Sequence, residues 1–151
     1  MKNKEKYAKE ILEIACSGGS IAVTKKSRRI APCGSTFCEE CLFCNANCEE
    51  KVREWSESEY IEVISKRDRA FLEYLRDRWK YMARDNISNA VYVFTEIPEK
   101  SEGGHYAYTG EARRISSDFN VVFPMVKWSN DKPWLIEDLK KLEVVEEYEK
   151  H

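Results

Sequence analysis

The chain has 151 residues, 42% hydrophobic and 12% aromatic, with 34% charged and a formal net charge of −2. That is enough apolar material for one ordinary domain or two small ones, and the near-balance of charge excludes a strongly basic nucleic-acid binder and an acidic mimic of DNA alike. No stretch approaches the run of about 18 apolar residues that a membrane helix needs, and acids interrupt the basic N-terminus, so no signal peptide is expected.

In chain order, residues 3 to 16 carry Tyr7, Ile11, Leu12 and Ile14 between charges, and Gly18-Gly19 follows as a stop. This spacing predicts an amphipathic helix. Ser20 to Val23 predicts a short strand and Thr24 to Arg29 a polar turn. A cysteine-rich segment then leads into a helix that reaches about Trp55. Ser65 with Asp68 resembles a capping box at the head of a helix with Phe71, Leu72 and Leu75 on one face. Tyr81 to Ala83 and Ala90 to Phe94 predict a hairpin around the turn chemistry of Asp85 to Asn89. Glycines punctuate a loop around "HYAY", and strands are expected at Glu111 to Ser116 and Phe119 to Phe123. A short helix behind Pro133 closes the chain. The strands cluster without βαβ alternation, so the expected class is α+β. The expected organisation is an N-terminal helical zinc-knuckle module, residues 1 to 62, and an antiparallel sheet with flanking helices, residues 63 to 151.

Five of the six cysteines fall in "CGSTFCEECLFCNANC", residues 33 to 48. Without an export signal, reduced thiols are expected, which disfavours a disulfide framework. The stretch is polar and bears Gly, Ser and Asn, which disfavours scattered core thiols. Metal is the remaining reading. A C-x₂-C pair lets the chain fold back and present both sulfurs to one tetrahedral ion, and a structural zinc takes four thiolates. The preferred set is Cys33, Cys38, Cys41 and Cys48, with Cys44 as the alternate ligand. Asn47 is the expected N-cap that would set Cys48 in the first helical turn. Cys38 to Cys48 also reads C-x₂-C-x₂-C-x₃-C, the bacterial run for an iron–sulfur cluster. Glu49 stands where that run has Pro, and no second run occurs. Zinc is therefore preferred and the cluster kept as the alternative. Cys16 reads as a small buried hydrophobe.

Signals for catalysis are poor. The two histidines are His105 and His151, and no G-x-S-x-G, P-loop or H-E-x-x-H occurs. His105 reads as a solvated loop residue, and a closed four-thiolate site does not activate water. No enzyme is expected. "KKSRR" places Lys25, Lys26, Arg28 and Arg29 beside the cysteines as residues for weak nucleic-acid contact, balanced by Glu39, Glu40, Glu49 and Glu50.

Taken together, "EKYAKEILEIACSGGSIAV", the cysteine cluster running into "CEEKVREW", and "SKRDRAFLEYL…FPMVKW…PWLIEDLKKLEVVEEY" look like small accessory proteins of phages and prophages of Gram-positive bacteria. Among these are the type II-A anti-CRISPR proteins. Cys44 is one cysteine more than the four-cysteine pattern of such N-terminal modules. The resemblance implies a non-enzymatic inhibitor that binds a bacterial type II CRISPR effector nuclease with its guide RNA, in the host cytoplasm. Glu39, Glu40, Glu49 and Glu50, or the tail acids Glu143, Glu146, Glu147 and Glu149, are then the expected complement to a basic surface on that partner. Each of them alone reads as a solvated face. The alternative is a zinc-finger phage regulator that binds nucleic acid through Lys25, Lys26, Arg28 and Arg29.

Overall fold

The computed structural model describes residues 1–44 and 47–149. It is an α+β protein with antiparallel strands, and it divides into two compact units, Met1–Ile61 with Val145–His151, and Glu62–Val144.

The first unit opens with α1 (Asn3–Lys6) and α2 (Ala8–Cys16), so the expected single helix is broken at Tyr7. The Tyr7 ring stacks on Trp55 at 5.7 Å and meets Tyr60 edge-on at 5.9 Å. Ile14 is the buried residue of α2, and Leu12 is exposed. The Gly-Gly stop works as expected. Gly18 takes a left-handed φ of 79°, and the amides of Gly18 and Gly19 return to the carbonyls of Ala15 and Ile14. That is a Schellman closure, which needs a residue without a Cβ penalty. Cys16, expected to be buried, is exposed, because the face of α2 that enters the core is the one carrying Ile11 and Ile14.

β1 (Ile21–Val23) and β2 (Ile30–Pro32) form an antiparallel hairpin with Ala22 opposite Ala31. Two 3₁₀ turns follow, Cys33–Ser35 and Cys38–Glu40, and then α3 (Cys48–Glu57). The core gathers Ile14, Ala22, Val23, Ile30, Cys41 and Phe43, flanked by half-buried Tyr7, Ile11, Val52 and Trp55.

The second unit starts with β3 (Val63–Ser65), which runs directly into α4 (Lys66–Tyr74). The Ser65 hydroxyl accepts the Asp68 amide at 3.2 Å, as the cap reading expects. The main sheet has the order β8 (Ala112–Arg114), β5 (Val91–Phe94), β4 (Tyr81–Arg84), β9 (Trp134–Leu135), all antiparallel. β4 and β5 are the expected hairpin, with Tyr81 opposite Phe94 and Arg84 opposite Val91. β6 (Glu99–Lys100) and β7 (Tyr106–Ala107) form a second, short hairpin. α5 (Ile136–Leu139) and β10 (Glu143–Val145) end the described chain, and β10 is the neighbour of β3. Leu72, Met82, Val91, Val93, Phe94, Phe123, Met125, Val126 and Leu139 are fully buried.

Two expected elements differ. Residues 119 to 123 carry the side chains of a strand but form no ladder, because other groups take their backbone. The Asp68 carboxylate accepts the amides of Val122 and Phe123 at 3.1 and 2.7 Å. The Arg84 guanidinium takes the carbonyls of Val122 at 2.6 Å and Phe123 at 3.1 Å. Phe123 itself is left-handed at φ 45°, which a strand does not admit. The helix behind Pro133 begins only at Ile136, since Trp134 and Leu135 pair with Met82 and Tyr81 as β9.

Candidate functional site

The cysteine loop is built onto the first hairpin by backbone contacts that composition does not reveal. The Cys33 amide donates to the Ser20 carbonyl at 2.7 Å. Further on, Leu42 donates to Val23 and Lys25 donates to Glu40, each at 2.8 Å, so residues 40 to 42 lie alongside β1. Phe43 anchors the loop inward, edge-on to Trp55 at 5.9 Å. Lys51 reaches back from α3 to the Cys44 carbonyl at 2.7 Å.

Within that frame the thiols have different surroundings. Cys33 and Cys38 each open a 3₁₀ turn and are exposed, Cys41 is buried, Cys44 is half-buried, and Cys48 opens α3 and is exposed. Cys41 and Cys48 converge on one residue: the Phe43 amide donates to Cys41 Sγ at 3.4 Å, and Cys48 Sγ donates to the Phe43 carbonyl at 3.1 Å. Among the described residues, however, no three Cys, His, Asp or Glu side chains form a group arranged to hold a metal ion. The donor chemistry suits zinc; the described geometry does not gather the expected set. Asn47 occupies the cap position of α3 in a left-handed conformation, φ 70°, and makes no side-chain cap bond.

The charged residues around the loop fall into two kinds. The basic turn is largely engaged inside the unit. Lys25 Nζ donates to the Glu39 carbonyl at 3.0 Å, Lys26 pairs with Glu147 at 3.2 Å, and Arg28 is left-handed and half-buried, with burial lowering its pKa. Arg29 is exposed. Glu39, Glu40, Glu49 and Glu50 are all exposed, and among the described residues no ion pair engages them. Of the tail acids, Glu147 is taken by Lys26 and the Glu146 amide is bound by the Lys26 carbonyl at 2.9 Å.

Sequence reasoning missed the long-range contacts of three polar residues of the second unit. Asp68 and Arg84 brace the loop after Phe119, and Arg84 adds contacts to Asn89 O at 2.8 Å and Val126 O at 2.7 Å. The third is Asp85, expected only as a turn former. Its buried carboxylate accepts the amides of Ile87 and Ser88, the Ser88 hydroxyl, and His105 Nδ1 at 2.6 Å. His105 is 60% exposed, so it is solvated as expected, but its ring is oriented by a buried partner. Asp85 and His105 lie twenty positions apart, and no local pattern joins them.

The chain matches no protein-family model, and no curated protein or solved structure is significantly similar to it. Among the described residues, no helix is long and apolar enough to cross a membrane.

Proposed function

We propose that the chain is a non-enzymatic binding protein that inhibits a bacterial type II CRISPR effector nuclease, as the resemblance of its sequence implies, and that it meets this partner in the host cytoplasm. The observation that supports a protein partner is the contrast of charge around the cysteine loop: Glu39, Glu40, Glu49 and Glu50 are exposed and, among the described residues, paired with no cation, while Lys25, Lys26 and Arg28 are engaged within the unit. Unpaired surface carboxylates suit a positively charged surface, which the nucleic-acid channel of an RNA-guided nuclease provides. A regulator that grips phosphates would need the basic turn to be available.

A pull-down against the effector loaded with guide RNA tests this reading. Charge reversal, Glu39→Lys with Glu49→Lys, is expected to weaken capture and to leave the melting temperature unchanged. A shift of DNA in a gel at physiological salt, with no nuclease present and lost on raising the salt, would replace the inhibitor by the nucleic-acid regulator.

The structural metal belongs to the same proposal. Zinc at about one ion per chain, held by Cys33, Cys38, Cys41 and Cys48 with Cys44 as the alternate, would cross-link a loop that has little core of its own. The amide of Phe43 aimed at Cys41 Sγ supports Cys41 as a ligand, because ligating atoms are commonly held by outer hydrogen bonds. Elemental analysis of purified protein decides between zinc, an iron–sulfur cluster and no metal. Cys41→Ser is expected to lose the ion, and Cys44→Ser to keep it.

A further inference from the structure

Three loops meet at one end of the main sheet of the second unit. The turn between β4 and β5 is joined to the turn between β6 and β7 by the Asn86 amide on Gly104 O at 3.1 Å and by the Asp85–His105 contact. Lys100, at the end of β6, donates to Asn130 O at 2.7 Å, and Arg84 holds Val122, Phe123 and Val126. Between the first turn and the 122–129 loop lies an open cleft of about 540 Å³, lined among others by Arg84, Asp85, Asn86, Lys127, Trp128 and Ser129.

The charged residues of the lining are two cations, Arg84 and Lys127, and one carboxylate, Asp85. Arg84 donates to four carbonyl oxygens, which are neutral. The charge of Asp68 acts on Arg84, and the same carboxylate accepts two backbone amides. Asp85 keeps its negative charge, which is bound by four donors: the Ile87 and Ser88 amides, the Ser88 hydroxyl and His105 Nδ1. Lys127 is exposed, and among the described residues no ion pair engages it. Beside it stands a half-buried indole. Trp128 is braced edge-on by Tyr106 at 5.1 Å, with Lys100 Nζ 5.1 Å from its ring centroid. A cation next to a braced aromatic ring, with Asn86 also in the lining, is the chemistry that takes an anion joined to a flat, hydrogen-bonding ring.

We propose that this cleft binds a nucleotide, with the phosphate on Lys127 and the base against Trp128. A free nucleoside monophosphate and the phosphorylated end of a single strand share that chemistry. The site lies in the second unit and does not depend on the inhibitor reading, which concerns the cysteine loop of the first.

The test is a titration of the isotope-labelled full chain with adenosine 5′-monophosphate, followed by amide and indole resonances. The expected result is a saturable shift of the Trp128 indole N–H and of the Asn86 and Lys127 amides. Lys127→Gln should weaken binding about tenfold, the size of a lost charge-assisted contact, at unchanged melting temperature. No saturable shift at millimolar nucleotide, shifts confined to other residues, or equal binding by Lys127→Gln would each overturn the proposal. Inorganic phosphate binding as tightly as the nucleotide would also overturn it, since the ring would then contribute nothing. A 5′-phosphorylated oligonucleotide that binds the same residues more tightly than the mononucleotide assigns the strand end; weaker or equal binding assigns the free nucleotide.

Discussion

The two units bury their interiors by different means. In the second, large apolar side chains from α4, the main sheet, α5 and the 122–126 loop are fully buried, and the polar groups among them are matched: Asp68 and Arg84 bond backbone that has no ladder, and Asp85 bonds two turn amides together with the Ser88 hydroxyl and His105. In the first, among the described residues, those buried to the same degree are Ala22 and Val23, and much of the remaining packing joins buried Phe43 to half-buried Tyr7 and Trp55 at the junction of α2, α3 and the cysteine loop. A buried apolar core stabilises in proportion to area. A unit with less of it gains more from a cross-link, which is the physical case for the metal proposed in the cysteine loop.

The largest expected effect therefore falls in the second unit. Leu72→Ala opens a cavity beneath α4 where the side chain is fully buried, at a cost of about 2–5 kcal/mol. Thermal or denaturant unfolding followed by a probe in each unit measures it. If the first unit's transition moves as far as the second's, the two unfold as one and the contrast fails.

Next in size is Asp68→Ala, which leaves the buried amide of Phe123 and the part-buried amide of Val122 without their acceptor. Unsatisfied buried donors cost about 1–3 kcal/mol each, and relaxation toward water recovers part of that. Amide exchange should rise locally at residues 122 to 126. Unchanged exchange there would mean that Arg84 alone holds the loop.

This brace also marks the limit of what the residues reveal by themselves. The Gly18-Gly19 stop, the Ser65 cap and the 81–94 hairpin depend on neighbours in the chain, and local chemistry predicts them. Residues 119 to 123 look like a strand by the same local criteria. Their backbone is claimed by Asp68 and Arg84, the first 54 and 55 positions away and the second 38 and 39, a fact that no window over the segment contains. The cysteine cluster is similar: its crowding is legible in composition, while its attachment beside β1, and the separation of exposed Cys33 and Cys38 from buried Cys41, are tertiary. Glu39, Glu40, Glu49 and Glu50 are legible as residues, while their lack of an ion pair among the described residues is not.

A smaller effect separates the roles of the thiols. Cys41→Ser places a hydroxyl in the first unit's core at a cost of about 1–3 kcal/mol. Cys38→Ser, at an exposed position, is expected to be near neutral in metal-free protein. Melting curves of the two variants with and without added zinc give the comparison. A loss at Cys38 as large as that at Cys41, seen only when zinc is present, would assign stability in this unit to the ion.

The smallest effects are electrostatic, and they set one carboxylate of each unit against the other. Burial works to raise the pKa of Asp85, but the Ser88 amide, His105 and the Ser88 hydroxyl together hold it below the usual carboxylate range. Glu57 is exposed, and hydrogen bonds from Lys2 and then Lys4 bring it from an ordinary 4.5 to about 2. Both pKa values are lower in the folded chain than in the unfolded one. Each group therefore adds stability that is fully present above the usual carboxylate range and is lost as the pH falls through the folded value. For Glu57 that window runs from 4.5 down to about 2. Salt distinguishes the two. The Glu57 clip lies in water and should be screened almost to nothing at high ionic strength, whereas the Asp85 carboxylate is 6% exposed and bonded to fixed donors. Acid titrations of Asp85→Asn and Glu57→Gln, each at low and high salt, should show a salt-resistant loss of acid dependence for the first. The second should show a difference only at low salt, and a salt-sensitive Asp85 would place that carboxylate in solvent instead of in the core.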